Sequence, residues 1–254
     1  MNVQSALYLL PVGISDARPE KVLPPENLEI LNELRFFIVE NVRTARRFIK
    51  RCNPAADISS MIFYELNRHT DEKEISTFLQ PLREGLPMGV MSEAGCPGVA
   101  DPGALPVRIA QSEGFRVIPL VGPSSILLAL MASGLNGQNF SFHGYLPVEN
   151  AERERKIKEL ESQSSRSSTT QIFIETPYRN EKMFGSLLKT LKEDTLLCVA
   201  TAVTDPENER IVSKTITEWK RSNIQLEKLP TVFLFLSTEK QGSNHNYGKK
   251  KNFI

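Results

Sequence analysis

The stretch Met88-Gly89-Val90-Met91-Ser92-Glu93-Ala94-Gly95-Cys96-Pro97-Gly98-Val99-Ala100-Asp101-Pro102-Gly103 begins as an apolar strand, turns through glycines and prolines, and runs into a helical pattern over Gly103–Glu113. Glycine reaches backbone angles closed to other residues and proline fixes its own, so this loop has a set shape. Such a loop lets a ligand approach main-chain N–H and C=O groups. At the carboxyl end of a strand, it sits where open α/β sheets bind ligands. A plain connecting loop is the competing reading, because short Gly/Pro connections are common.

Working outward, strands are expected at Ala6–Leu10, Phe36–Glu40, Ile58–Tyr64, Met88–Ser92 and Arg116–Val121. Helical patterns alternate with them at Pro25–Leu34, Arg43–Arg51, Asp71–Glu84 and Gly103–Glu113. That alternation predicts an α/β domain with a parallel sheet and helices on its faces. Leu10-Pro11-Val12-Gly13, Glu40-Asn41 and Val121-Gly122-Pro123-Ser124 follow other strands of the set, so several special loops are expected on one sheet edge.

Ser124 reads as the N-cap of an apolar helix over Ile126–Ala132, and Gly134 as the residue that ends it. Strands follow at Phe140–Leu146, Gln171–Glu175, Leu196–Val203, Arg210–Ser213 and Val232–Leu236, with helices at Ala151–Glu161 and Asn180–Glu193. Successive strands with short connections predict an α+β domain with a mixed sheet. The expected organisation is an N-terminal domain over 1–121, a C-terminal domain over 122–240 and a disordered tail over 241–254 carrying Lys249-Lys250-Lys251. Ser162–Thr170, rich in Ser and Thr, is expected to be a flexible surface loop.

The 254 residues carry 31 Lys+Arg against 30 Asp+Glu. This balance excludes a generally basic nucleic-acid binder and leaves room for a local basic patch. Cys52, Cys96 and Cys198 lie far apart and only three histidines are present, so neither a disulfide framework nor a metal site is expected. A reducing cytoplasm is the expected setting. The longest apolar run, Ile126–Ala132, falls short of the ~18–20 residues that span a bilayer. Phosphate-loop, dinucleotide, serine-elbow and zinc-protease signatures are missing from the chain.

Arg43, Arg46, Arg47, Lys50 and Arg51 recur at helical spacing and share one face, which suits RNA phosphates. A solvated helix face is the alternative. His143 and the Met and Leu residues within 126–131 read as core.

The run from Val90 to Gly103, with Pro119-Leu120-Val121-Gly122-Pro123-Ser124-Ser125 and Ala132-Ser133-Gly134-Leu135, resembles the tetrapyrrole methylase family, class III S-adenosylmethionine (SAM) methyltransferases. Phe142-His143-Gly144-Tyr145-Leu146-Pro147 and Phe173-Ile174-Glu175-Thr176-Pro177-Tyr178-Arg179 resemble the branch that methylates a ribose 2′-oxygen of ribosomal RNA. The resemblance covers roughly residues 6–237. It implies two α/β domains, SAM in the cleft between them, and a homodimer. The implied cofactor residues are Pro11, Gly13, Glu93, Ala94, Gly95, Cys96, Pro97, Ser124, Ser125, Thr176, Ala200 and Thr231. Substrate binding falls to Arg46, Arg47, Asn67, Tyr178 and Arg179, and catalysis to Glu40, Arg43 and Glu65.

The chain departs from the branch on the substrate side. Glu40-Asn41-Val42-Arg43 replaces Glu-Asp-Thr-Arg, Tyr64-Glu65-Leu66-Asn67 replaces His-Glu-His-Asn, and Thr201-Ala202 replaces an Arg-Glu pair. Glu93 stands for an Asp, and the first loop is shorter. A small-molecule methylase acting on a porphyrinoid carbon, or a SAM-binding protein that has lost catalysis, are the alternative expectations.

Overall fold

A computed structural model of the chain describes residues 3–66, 70–222 and 224–237. Asn67 and the expected tail over 241–254 lie outside the described residues. Contacts divide the chain into two compact units, 1–129 with 200–211, and 130–199 with 212–254.

In the first unit, β1 (Leu7–Leu10), β2 (Phe36–Val39), β3 (Ile62–Glu65), β4 (Met88–Met91) and β5 (Val117–Pro119) form one sheet in the order β3-β2-β4-β1-β5. Every pairing in it is parallel. Its helices are α1 (Pro19–Val22), α2 (Pro25–Glu33), α3 (Val42–Cys52), α4 (Glu72–Phe78), α5 (Gln80–Arg83) and α6 (Ala104–Ser112). Successive strand residues face opposite sides of a sheet. Accordingly Tyr8, Leu10, Phe37 and Val39 join one core with Ile30, Leu31, Ala45 and Ile49 from α2 and α3. Leu7 and Ile38 join the other with Ile75, Phe78, Leu82 and Ala110 from α4, α5 and α6. Burial on both faces explains why these strands read as unbroken apolar runs.

The first unit extends past the expected boundary at 121/122. Asn27 Nδ2 donates to Val121 O at 2.8 Å, and Cys96 Sγ lies 3.4 Å from Pro123 O, which ties the segment after β5 to this unit.

Helix α7 (Ser125–Ser133) leads into β6 (Phe140–Tyr145), α8 (Asn150–Ser167), β7 (Thr170–Glu175), α9 (Asn180–Thr190), β8 (Leu196–Thr201), β9 (Arg210–Thr215), α10 (Ile216–Arg221) and β10 (Thr231–Leu236). The second sheet runs β6-β7-β10-β8-β9. It is mixed as expected, because β6 is parallel to β7 while β10 is antiparallel to it. Phe173, Phe233, Phe235, Leu197 and Val199 pack with α8, α9 and α10 through Ile157, Leu160, Met183, Phe184, Leu187, Ile216 and Trp219. Truncating any of the three phenylalanines, all fully buried, to Ala would cost ~3–5 kcal/mol.

Three local expectations are corrected. Ile58–Ser60 is a short 3-10 turn and the strand starts at Ile62, because the Asp57 carboxylate accepts the Ser59 N–H at 3.1 Å and turns the chain. The pattern over Asp71–Glu84 breaks at Leu79 into α4 and α5, since Pro81 has no N–H with which to continue the first ladder. Ser162–Thr170 is no flexible loop. Residues up to Ser167 complete α8, Ser164 is fully buried and accepts the Ser237 N–H at 2.9 Å, and Thr170 opens β7.

Candidate functional site

Four strand ends of the first sheet converge through their loops. After β4, Gly95 has φ +77°, and a Cβ there would meet Ile14 and the Pro123 carbonyl at 3.3 Å. The Gly95 carbonyl accepts the Val12 N–H from the loop after β1 at 3.0 Å and the Ser92 hydroxyl at 3.1 Å. After β5, a Cβ on Gly122 would lie 2.2 Å from Pro11 Cβ, so the loops after β1 and β5 touch main chain to ring. After β2, Glu40 Oε1 accepts the Glu93 N–H at 3.1 Å. Pro11, Gly13, Glu93 to Pro97, Ser124 and Glu40 therefore gather at one sheet edge, as expected. Gly95 and Pro97 are buried anchors, whereas Glu93 and Ala94 between β4 and those anchors are exposed.

The second half of the β4 loop is set by Asp101. Its Oδ1 accepts the Gly98 and Gly103 N–H groups, both at 2.7 Å, while its buried Oδ2 has no partner among the described residues. Desolvation pushes the Asp101 carboxyl above its ordinary range, against the opposing effect of those two N–H groups. Burial also raises the Cys96 thiol, with the Asp101 charge adding to it. Ser124 accepts the Leu127 N–H at 3.5 Å and starts α7 as expected, with Ser125 the first residue of the helix. Beside Gly122 and Pro123 lies an open depression of about 520 Å³, lined also by Lys21, Leu23, Leu128 and Thr204.

Helix α3 begins directly after Glu40. Asn41 caps it, accepting the Arg43 and Thr44 N–H groups at 2.9 and 3.3 Å. Ala45 and Ile49 are buried on one side, and Arg43, Arg46, Arg47, Lys50 and Arg51 are all exposed on the other. They are not equivalent. Arg51 donates to the Ala17 carbonyl at 3.0 Å and lies 3.9 Å from Asp16, Lys50 donates to the Pro54 carbonyl at 3.0 Å, and Arg46 lies over the Phe63 ring at 5.2 Å. Arg43 and Arg47 have no ion pair with the described residues, which leaves their guanidinium groups available to an anion. Thr44, which the sequence reading passed over, donates its hydroxyl to Glu93 Oε1. Glu65 ends β3 and is exposed, paired in register with Val39. Tyr64 stacks on Phe78 at 5.2 Å and fills space.

In the second unit, Glu175 is buried at the end of β7, where it accepts the Thr176 N–H at 2.7 Å and pairs with Arg179 at 2.6 Å. Arg179 is thus engaged with its own strand end. Tyr178 is 83% exposed, with the Lys228 ammonium 5.9 Å from its ring centroid. Thr231 pairs in register with Glu175 and accepts from Asn180 Nδ2 at 3.0 Å, so Thr176 and Thr231 share one end of that sheet. Ala200, the first residue of the 200–211 segment of the first unit, is fully buried in β8. His143 is only half-buried, its Nε2 2.6 Å from Gln171 Oε1, rather than a core residue, and of the residues within 126–131 expected in the core, Leu127 and Met131 are exposed at 50% and 79%.

The donor set suits SAM. Shaped main chain, a serine hydroxyl, small apolar surfaces and few fixed charges match a nucleoside with an amino-acid tail, and no cluster of basic side chains marks a phosphate cradle in those loops. The described residues hold no group of three or more His, Cys, Asp or Glu able to bind a metal, and no helix long and apolar enough to cross a membrane.

No family model matches the chain. Individual relatives do. It is 30% identical over 190 residues to ribosomal RNA small subunit methyltransferase I of Vibrio cholerae, covering 75% of this chain and 62% of that one. It is 28% identical over 203 residues to the protein of the same name from Escherichia coli O157:H7, covering 80% and 67%. The chain thus spans between 49% and 72% of the length of the curated relatives it matches. Among solved structures, the methyltransferase CobJ aligns with a TM-score of 0.58 at 19% identity, over 91% of this chain and 93% of that one. The cobalamin biosynthetic enzyme cobalt precorrin-4 methyltransferase, CbiF, aligns with a TM-score of 0.54 at 18% identity, over 91% and 95%. At those identities the likeness establishes the fold, and the sequence relatives supply the kinship. With a parallel sheet followed by a mixed one, the chain has the fold of these methyltransferases and is similar in sequence to ribosomal RNA small subunit methyltransferase I.

Proposed function

We propose that this protein is a SAM-dependent methyltransferase that methylates a ribose 2′-oxygen of ribosomal RNA. The observation that carries the reading is the meeting of Glu40, at the head of the basic helix α3, with Glu93, in the loop after β4. It puts a carboxylate, exposed arginines and the cofactor loop on one sheet edge. The names of the sequence relatives support the substrate class.

SAM supplies an electrophilic methyl group on a sulfonium. The protein must align the accepting oxygen, exclude competing water and take up the hydroxyl proton. The Glu93–Pro97 loop, Pro11, Gly13, Ser124 and Ser125 hold the cofactor largely through main chain, and the family pattern adds Thr176, Ala200 and Thr231. Arg43 and Arg47 hold RNA phosphates, with Arg46 packed on Phe63 beside them. Tyr178 offers an exposed ring on which a base can stack. Glu40 orients the ribose hydroxyl and accepts its proton, and Glu65, one strand further out, is the second carboxylate on that edge. The working form is a cytoplasmic homodimer, which light scattering tests as twice the mass of one chain.

The decisive experiment incubates purified protein with labelled SAM and three acceptors: small ribosomal subunits stripped of modification, a porphyrinoid panel, and buffer alone. Label in the ribosomal RNA supports the reading. Label only in a porphyrinoid replaces the substrate, and SAM binding without transfer to any acceptor replaces the activity.

A further inference from the structure

The contacts of Glu93 reach beyond its own loop. Its N–H donates to Glu40 Oε1 at 3.1 Å, and its carboxylate receives the Thr44 hydroxyl. Glu40 immediately precedes the cap of α3, and Thr44 lies in the first turn of that helix. The cofactor loop therefore grips the head of the helix on both sides of the Asn41 cap. An α-helix moves as a body, so whatever fixes its first turn also fixes Arg43 and Arg47 on its exposed face.

Thr44 adds a choice. Its hydroxyl carries one proton and has two acceptors in reach, the Glu93 carboxylate and the Asn41 carbonyl at 3.0 Å. The bond to the carboxylate is charge-assisted and the stronger of the two. A shift of Glu93 away from the helix returns the hydroxyl to Asn41, leaving α3 capped but detached from the loop. The hydroxyl thus has two alternative acceptors, and a choice between discrete partners is what coupling between sites requires.

We propose that Thr44 is a positioning residue that couples the cofactor loop to helix α3, so that the cofactor and RNA bind cooperatively. The inference rests on the functional reading above and adds to it a regulation of the same site. Ordering of the Glu93–Pro97 loop by the cofactor locks the first turn of α3 and presents its arginines. By thermodynamic reciprocity, bound RNA tightens the cofactor by the same factor.

The test uses S-adenosylhomocysteine, which binds without turnover. Its affinity is measured by calorimetry on the full chain, alone and with saturating unmodified small-subunit ribosomal RNA made in vitro. In the unmutated protein RNA should tighten it by about 5–10-fold, the lower end of ordinary couplings. Thr44→Val keeps the shape and loses the hydroxyl. It should bring that factor close to one while leaving the RNA-free affinity within about twofold, a split that general damage to the fold would not produce. Thr44→Ser restores the hydroxyl and should restore the coupling. Coupling retained in Thr44→Val, or lost in both variants, overturns the inference. Unmutated protein that binds both ligands with no mutual effect overturns it too, while leaving the functional reading in place. Unmutated protein that binds neither defeats that reading as well.

Discussion

Gly122→Ala should be the most damaging single methyl group added at the strand-end site. The new Cβ would stand 2.2 Å from Pro11 Cβ and 2.6 Å from Pro11 Cγ, where carbon atoms settle at ~3.5–4.0 Å. One loop must retreat by more than about 1 Å. Pro11 is buried and cannot swing aside, because Leu10 before it is in the core and the Val12 N–H after it is held by the Gly95 carbonyl at 3.0 Å. On the other side, Asn27 holds Val121 at 2.8 Å and Cys96 holds Pro123 at 3.4 Å. Overpacking costs ~1–3 kcal/mol, and each hydrogen bond given up in relaxing adds ~0.5–1.5 kcal/mol. The expected loss is about 3 kcal/mol, or a Tm lower by ~6–12 °C at the ~2–4 °C per kcal/mol usual for a chain of this size. Gly114→Ala is the reference. Gly114 has φ +78° with no atom within 4 Å of a Cβ, so only the left-handed backbone penalty of ~1 kcal/mol applies. Thermal unfolding followed by circular dichroism compares the two. A Gly122→Ala protein no less stable than Gly114→Ala refutes the close packing of the loops after β1 and β5.

Replacing Arg43 and Arg47 together by Ala should weaken RNA binding and lower the slope of log affinity against log salt by about 1.5, read by fluorescence anisotropy at several ionic strengths. The affinity for S-adenosylhomocysteine without RNA should not change. Glu40→Gln should slow single-turnover methylation by ~10²–10⁴-fold with both affinities near normal, and an unmutated rate would leave Glu40 as a helix-terminus charge only. Burial, with the nearby Glu20 charge, pushes the Cys52 thiol up to about 12, against the pull of Arg51. The thiolate is the reactive form and falls away as pH drops below that value. At pH 8 its fraction is on the order of 10⁻⁴, against about a quarter for a thiol of ordinary pKa. Iodoacetamide at pH 8 should therefore spare Cys52 in the folded protein and modify it in urea.

The strands of the first sheet were legible because burial on both faces writes continuous apolar runs, and the Gly/Pro loops after β1, β4 and β5 mark their ends. Loop sequence also located Glu40 and Glu93, but not their meeting. That depends on β2 and β4 being neighbours, which strand order along the chain does not state. Thr44 escaped because a threonine in the first turn of a helix has an ordinary local use, here the Asn41 carbonyl, and its bond to Glu93 spans distant sequence. Ser162–Thr170 misled because serines usually compete with helix formation. Here Ser167 bonds back to the Gln163 carbonyl at 2.8 Å and Ser164 is buried as an acceptor. Helix α10 did leave a local signal, the capping box of Thr215 and Glu218, in a segment too short to show apolar periodicity. The uneven engagement of the basic face, with Arg51 held by Ala17 and Arg46 by Phe63, could not be read from helical spacing, because both partners come from other elements.

The central claim is tested most directly by locating the methyl group in the product. Unmodified small-subunit ribosomal RNA is incubated with purified protein and SAM labelled in the methyl group, then hydrolysed in alkali. Alkaline cleavage proceeds through the free ribose 2′-hydroxyl, so a 2′-O-methyl group protects the adjoining phosphodiester bond. The account predicts that the label emerges in a dinucleotide. Label in mononucleotides would place the methyl on a base and contradict the ribose assignment, and RNA without label would contradict the methyltransferase reading of this edge.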